Sequence, residues 1–388
     1  MVSGCKMADR CEAAANPSAA QGQLALARHC RQCSAEHAEH SGFSGPKTAL
    51  KSGAFILSRR SASISPSMRR LLALIPSVAA LDVLCVGCSG GTGVRAVRGL
   101  LANGLPPSSL RFVTRDPTRP AARTLAGLGL TPVVGDLDDA ASLAALAAGG
   151  YDACYVHGTS GDEKKIDERE VPRAAALAAA FAATSTPPLV VYNSASAPDN
   201  TGIPRIEQKH AVEEVLREAL PGRVAVLRAH LFMEELWKTY TRPSIVTKRT
   251  YAFSVRRDKL LCLTSVRDMG AVAARCAVEG FSSDSPLDVV SDVLTPAEIA
   301  AAFGAAQGEA VRHRQAWLLY VLSRALLPEL HQIMRFYRTT DFGGNAARRN
   351  ELLEAFEMPP KLQPFAAFLA ETRWSDGERT YEDLAAPE

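Results

Sequence analysis

Gly87, Gly90 and Gly93 stand three residues apart, between an apolar run that ends at Gly87 and a helical-looking stretch from Val94 to Asn103. The phosphates of a nucleotide need free backbone N–H groups, the positive end of a helix dipole and no side chain in the way. The segment Gly87-Cys88-Ser89-Gly90-Gly91-Thr92-Gly93 is built to supply all three. Taken alone it also suits any tight turn from strand to helix.

Further chemistry sits at the ends of the apolar runs that follow. After Leu110 to Thr114 comes Arg115, where a binder of NAD would carry Asp or Glu for the ribose 2′-hydroxyl. A carboxylate repels a 2′-phosphate and a guanidinium binds it, so Arg115 points to NADP, with Arg119 as a second contact. Asp116 lies just beyond the expected carboxylate position, where starting the next turn is its alternative role. Asp136, in Gly135-Asp136-Leu137, either approaches the adenine amine or caps a helix.

The next two runs end in His157-Gly158-Thr159-Ser160 and Asn193-Ser194-Ala195-Ser196. Carboxyl ends of parallel strands face the ligand crevice, so His157, Gly158 and Ser194 are candidate cofactor contacts. His157 is also a candidate proton donor, against a purely structural histidine. Lys209 falls within the apolar stripe of Ile206, Val212, Leu216 and Leu220 on a helix from Arg205 to Leu220. Either it snorkels at the helix edge, or it binds the nicotinamide ribose hydroxyls and assists proton transfer.

These residues require a scaffold that brings strand ends together. From Leu81 the chain alternates short apolar runs with Ala- and Leu-rich amphipathic stretches. Strands are expected at the first apolar run, 110–114, 131–134, 152–156, 189–192 and 224–227, with helices between them near 94–103, 121–128, 140–148, 170–183 and 205–220. That order predicts an α/β fold, a doubly wound parallel sheet of the Rossmann type over residues 79–230. In residues 231–388 the alternation fails: strands at 260–263 and 288–290 and helices at 266–278, 296–303, 317–330, 346–356 and 364–372 predict a smaller, partly helical substrate-binding and lid region, partly packed back on the sheet. Its aromatic cluster Phe336, Tyr337 and Phe342 either lines a lid over the substrate or packs against the sheet.

Composition narrows the partners. The 388 residues include 44 Lys and Arg and 41 Asp and Glu, but residues 1–80 hold ten of the former and four of the latter. The remainder, 34 against 37, is close to neutral and carries no one-signed field for nucleic acid. Residues 1–78 have no hydrophobic period, and from Ser41 to Ala80 no acidic residue, the composition of an organellar transit peptide, plastid ahead of mitochondrion, or of a disordered N-terminus. Leu71 to Val86 is broken by Pro76 and Asp82, so no membrane span is expected. The nine cysteines are too scattered for a disulfide scaffold, and Cys30-x-x-Cys33 with His29, His37 and His40 lacks a second pair for zinc.

With these positions in hand the chain resembles the NmrA-like family of atypical short-chain dehydrogenases/reductases. The resemblance rests on Gly87-x-x-Gly90-x-x-Gly93, Val113-Thr114-Arg115-Asp116-Pro117, Gly135-Asp136-Leu137, Lys209, and Leu227-Arg228-x-x-x-Phe232-Met233-Glu234. It covers about residues 81 to 305, more thinly to 375. It implies a Rossmann domain with a smaller C-terminal substrate domain, and NADP where an arginine follows the second strand. Typical short-chain dehydrogenases place a proton-donating tyrosine four residues before the lysine; here that residue is Arg205. The expectation is an NADP(H)-binding oxidoreductase acting on a small carbonyl, enone or quinone. The alternative is a catalytically silent NADPH sensor that binds a protein partner.

Overall fold

The computed structural model describes residues 81–159, 166–342, 356 and 360–385. The N-terminal features, Ser160 and all but the last residue of the helix expected at 346–356 lie outside them.

The strands are β1 (Val83–Val86), β2 (Leu110–Thr114), β3 (Thr131–Val134), β4 (Ala153–Val156), β5 (Leu189–Ala195), β6 (Val224–Ala229), β7 (Leu231–Phe232), β8 (Thr250–Phe253), β9 (Leu261–Thr264), β10 (Leu287–Val289), β11 (Asp292–Leu294) and β12 (Arg312–Gln315). Helices α1 (Gly91–Ala102), α2 (Pro120–Gly127), α3 (Ala140–Ala147), α4 (Glu170–Ala182) and α5 (Pro204–Ala219) alternate with the first six strands. Then follow α6 (Arg242–Val246), α7 (Val266–Glu279), α8 (Pro296–Gln307), α9 (Trp317–Leu326), α10 (Pro328–Thr339) and α11 (Phe365–Glu371).

The seven-stranded parallel sheet runs β10-β6-β5-β4-β1-β2-β3. Its inner strands are apolar on both faces because both faces are covered. Val83 and Cys85 of β1 enter one core with Phe112, Leu125 and Met269, whereas Leu84 and Val86 enter the other with Leu177, Phe181 and Leu216. Only β3, Thr-Pro-Val-Val, is largely exposed, and Pro132 is tolerated there because the strand is an edge.

The chain past residue 230 does not stay apart from this sheet. β10 is its seventh strand, and α7 lies against α1 so closely that backbones nearly touch. A Cβ on Gly99 would sit 1.8 Å from the Arg267 carbonyl oxygen, and one on Gly270 1.8 Å from that of Ala96. Glu234 fixes the same junction: buried, it accepts from the Val266 N–H at 3.1 Å and pairs with buried Arg95 of α1 at 3.0 Å. Arg95 also reaches Glu371 of α11 at 3.3 Å.

A third core lies in the C-terminal half, around Trp237, Tyr251, Phe303, Phe365 and Trp374. Thr295 caps α8, and with Glu298 it forms a capping box. The single helix expected over 317–330 is two, because Pro328 lacks the N–H to continue α9 and its preceding residue Leu327 leaves the helical region at φ −143°, ψ 70°. Phe336, Tyr337 and Phe342 pack on one another at 5.2–5.8 Å between ring centres and join this third core. None of the three is among the residues lining the cavities described next, and burial among other aromatics is what their side chains satisfy.

Candidate functional site

Gly87 leaves β1 with φ +72°. A Cβ at this position would lie 2.1 Å from the carbonyl oxygen of Gly158, which follows β4, so the ends of two adjacent strands approach too closely for any side chain. Gly93 is constrained in the same way by the Cys88 backbone, 2.5 Å from its would-be Cβ. Gly90 caps α1 without a side-chain hydrogen bond, and the first turn holds no acidic residue. The dipole and N–H groups of that helix end are therefore left for an outside anion. β1 sits between β4 and β2, where the strand order reverses, the place at which open α/β sheets form a crevice.

Two cavities open there and share Gly87 and Gly158. The first, about 120 Å³, is bounded by Ser89, Thr114, Arg115, Gly135 and Asp136. Arg115 is exposed and makes no ion pair among the described residues. Asp116 is engaged in its own turn: its carboxylate accepts from the Thr118 N–H at 2.8 Å and hydroxyl at 2.6 Å, bonds that hold it below the usual carboxylate range. Arg119 stands before α2 on the exposed surface and does not line the cavity. The capping alternative for Asp136 is corrected, since Asp139 accepts from the Ser142 N–H at 2.7 Å and caps α3. Asp136 accepts instead from the Asp138 N–H at 3.0 Å at the cavity wall. Arg173, also on that wall, is held by Asp138 at 2.5 Å and Asp167 at 2.8 Å.

The second cavity, about 300 Å³, is lined by Thr92, His157, Asn193 and Lys209 with Glu170 and Phe232 among its walls. His157 follows β4, and its ring is fixed from both sides. Nε2 meets the Thr92 hydroxyl at 3.0 Å; Nδ1 lies 3.1 Å from the Tyr155 hydroxyl and 3.2 Å from the Asn193 amide nitrogen. An amide N–H can only donate, so Nδ1 is the acceptor and the proton sits on Nε2, directed at Thr92. Burial, then the neighbouring Lys209 cation, lowers the imidazole pKa to about 4. Burial thus holds His157 neutral at pH 7, with its N–H directed at the Thr92 hydroxyl.

Lys209 is half-buried on the inward face of α5, on the same side as Val212 and Leu216. The fully buried residues of that face are His210, Val212, Glu213 and Leu216, so a carboxylate occupies its centre. Lys209 turns to the cavity, forms an ion pair with buried Glu170 at the start of α4, and brings Nζ within 3.7 Å of where a Gly158 Cβ would be. Its ammonium has three donors and Glu170 uses one. Glu170 was not visible as a site residue in the sequence, where it is only the first residue of a helix.

Ser194 does not face the crevice, which corrects the cofactor-contact expectation for it. Side chains alternate along a strand, so with Asn193 at the cavity its neighbour points the other way. There it donates to Glu213 at 2.5 Å, and Glu213 also binds Arg228 through two contacts of 2.9 Å. Arg205, at the position where a tyrosine would stand, lines the cavity and pairs with Glu329 of α10 at 2.8 Å. From the C-terminal half only a few side chains reach the opening, among them Lys238, whose Nζ lies 3.8 Å above the Tyr381 ring.

Among solved structures, the fold is similar to the NADPH-dependent quinone oxidoreductase QOR2 of Escherichia coli in complex with NADPH, at 18% identity and TM-score 0.56, over 74% of this chain and 99% of that one. The Citrobacter sp. triphenylmethane reductase in complex with NADP(H) aligns at 15% identity and TM-score 0.59, over 75% and 99%. NmrA, a negative transcriptional regulator, in complex with NAD aligns at 17% identity and TM-score 0.55, over 79% and 94%. At these identities the likeness is one of fold. No curated protein matches the sequence. The model of the NmrA-like family matches residues 81–369, and the chain belongs to that family.

Proposed function

We propose that this protein is an NADP(H)-dependent oxidoreductase acting on a small carbonyl, enone or quinone. The observation that carries it is the pair of cavities joined at Gly87 and Gly158, one ending at an arginine unpaired among the described residues and the other at a lysine. The residues present fit the dinucleotide. The α1 N-terminus and its side-chain-free turn would take the pyrophosphate, and Arg115 the 2′-phosphate. The two ammonium protons of Lys209 left by Glu170 would bind the nicotinamide ribose hydroxyls. When bound, the nicotinamide supplies a hydride.

The chain's own residues orient and enclose. His157, immobilised by Thr92, Tyr155 and Asn193, forms a rigid neutral wall beside the reacting face. Phe232 and Ile166 offer an apolar surface for a planar substrate. Lys209 is the cation placed to hold or deliver a proton. Binding of NADPH to the full chain, followed by calorimetry, tests the cofactor, and NADPH oxidation with a panel of quinones, enones and aldehydes tests the reaction. Turnover should be lost in Lys209→Met while the protein stays folded.

The second reading, a catalytically silent NADPH sensor with a protein partner, is favoured by one observation. Arg205 stands where the proton-donating tyrosine would be and is tied to Glu329. It predicts NADPH binding without oxidation across the whole panel.

A further inference from the structure

Helix α9 is turned inside out. Its sequence is Trp-Leu-Leu-Tyr-Val-Leu-Ser-Arg-Ala-Leu, and Trp317, Leu318, Leu319, Val321, Leu322 and Leu326 are all exposed, from 46% to 72%. The buried residue is Ser323, whose hydroxyl donates to the Tyr320 carbonyl at 2.8 Å. At about 100° per residue the six apolar side chains sweep a continuous arc of roughly 200°, whereas Tyr320 and Ser323 fall on the remaining side. That inward side is anchored. The Tyr320 ring stacks on His331 of α10 at 4.6 Å and lies under the Arg338 guanidinium at 4.4 Å, and Arg338 donates to the Ser254 carbonyl at 2.5 Å. A large contiguous apolar surface of this kind marks an interaction site.

Charge decides what covers it. No Asp or Glu occurs from Arg312 to Leu327, while Arg312 and Arg314 of β12 and Arg324 on α9 are exposed and unpaired among the described residues. Arg312, five residues before the helix begins, also lines a cavity of about 480 Å³ with Arg257, His313 and Gln315. A second copy docking on the same face would bring arginines against arginines. An anionic lipid surface offers hydrocarbon and phosphate side by side.

We propose that α9 docks this protein on the surface of an anionic bilayer. Its apolar arc lies in the boundary between headgroups and acyl chains, with Trp317 at the interface, and Arg312, Arg314 and Arg324 contact lipid phosphates. Ten residues form a helix about 15 Å long, which suits lying in the plane, and among the described residues no helix is long and apolar enough to cross a membrane.

The experiment is flotation of the full chain with vesicles of phosphatidylcholine alone and of phosphatidylcholine mixed with phosphatidylglycerol. Trp237 and Trp374 are buried, so emission changes report on Trp317. The mixed vesicles should float the protein, shift its emission to the blue and, with brominated chains, quench it. Leu318→Glu with Leu322→Glu, both at exposed positions, should lower the bound fraction more than about tenfold with an unchanged circular dichroism melt. Arg312→Ala with Arg314→Ala should weaken binding to the mixed vesicles only. Equal flotation of wild type and the double Glu variant, or no flotation at all, overturns the proposal. So does a dimer in solution that the double Glu variant abolishes, since the face then belongs to a second copy.

Discussion

At the scale of single residues, the site separates groups whose charge is fixed from one whose charge depends on pH. Arg115 is fixed and has no protein partner among the described residues, so its affinity is available to a ligand. Replacing it with Ala should weaken NADPH by roughly tenfold to a hundredfold, the value of a charge-assisted phosphate contact, and leave NADH unchanged in calorimetric titration. His157 is the variable one. Its folded pKa of about 4 lies below the ordinary 6.5, so the unfolded chain takes up the extra proton first as pH falls. The stability it contributes is complete above about pH 6.5 and is lost between there and about pH 4, a span worth on the order of 3 kcal/mol. In urea melts, the stability gap between wild type and His157→Gln should therefore narrow as pH falls from neutral to 4. A gap independent of pH would show that the imidazole is not held neutral by the fold.

At the scale of elements, close helix packing rather than the glycine turn alone sets where the site lies. Gly99 and Gly270 let α1 and α7 meet backbone to backbone, and α1 is the helix whose end faces the crevice. Gly270→Ala or Gly99→Ala must push the helices apart, at a cost of about 1–3 kcal/mol each, and the double variant should cost less than their sum because both relieve one contact. Thermal melts and NADPH titrations should move together, since the shift displaces the α1 N-terminus. None of this was legible in the sequence, because a glycine within a helix gives no sign of a partner far along the chain. What was legible is what depends on neighbours in sequence: the apolar runs of β1, β2 and β4, the turn at Gly87, and the cap at Thr295. Side-chain direction at strand ends was harder. Asn193 and Ser194 are equally polar, and only the observed register decides that the first meets the cavity and the second Glu213. Lys209 stood out as a lysine on the apolar stripe of its helix, yet its partner Glu170 belongs to a different helix and has no local signal.

At the scale of the whole molecule, the sequence divides near residue 230 where regular alternation stops, but the core does not. Val266, Met269, Val272 and Cys276 of α7 and Leu287 and Val289 of β10 share one cluster with Val83, Cys85, Val97 and Leu110. A chain ending at residue 230 would expose that face of the sheet and would leave Arg95, 3% exposed, without Glu234 and Glu371. Losing that apolar cover costs about 1.5–3 kcal/mol for each large side chain left in water, a large share of the 5–15 kcal/mol by which domains are stable. Residues 81–230 alone should therefore show no cooperative thermal transition and should bind a hydrophobic dye, whereas residues 81–388 melt in one step with the NADPH site intact. A sharp melt of the short fragment would mean that the dinucleotide half folds by itself and that α7 and β10 are additions to it. The expected failure would instead place α7 and β10 among the conditions for forming the site, although neither of them lines it.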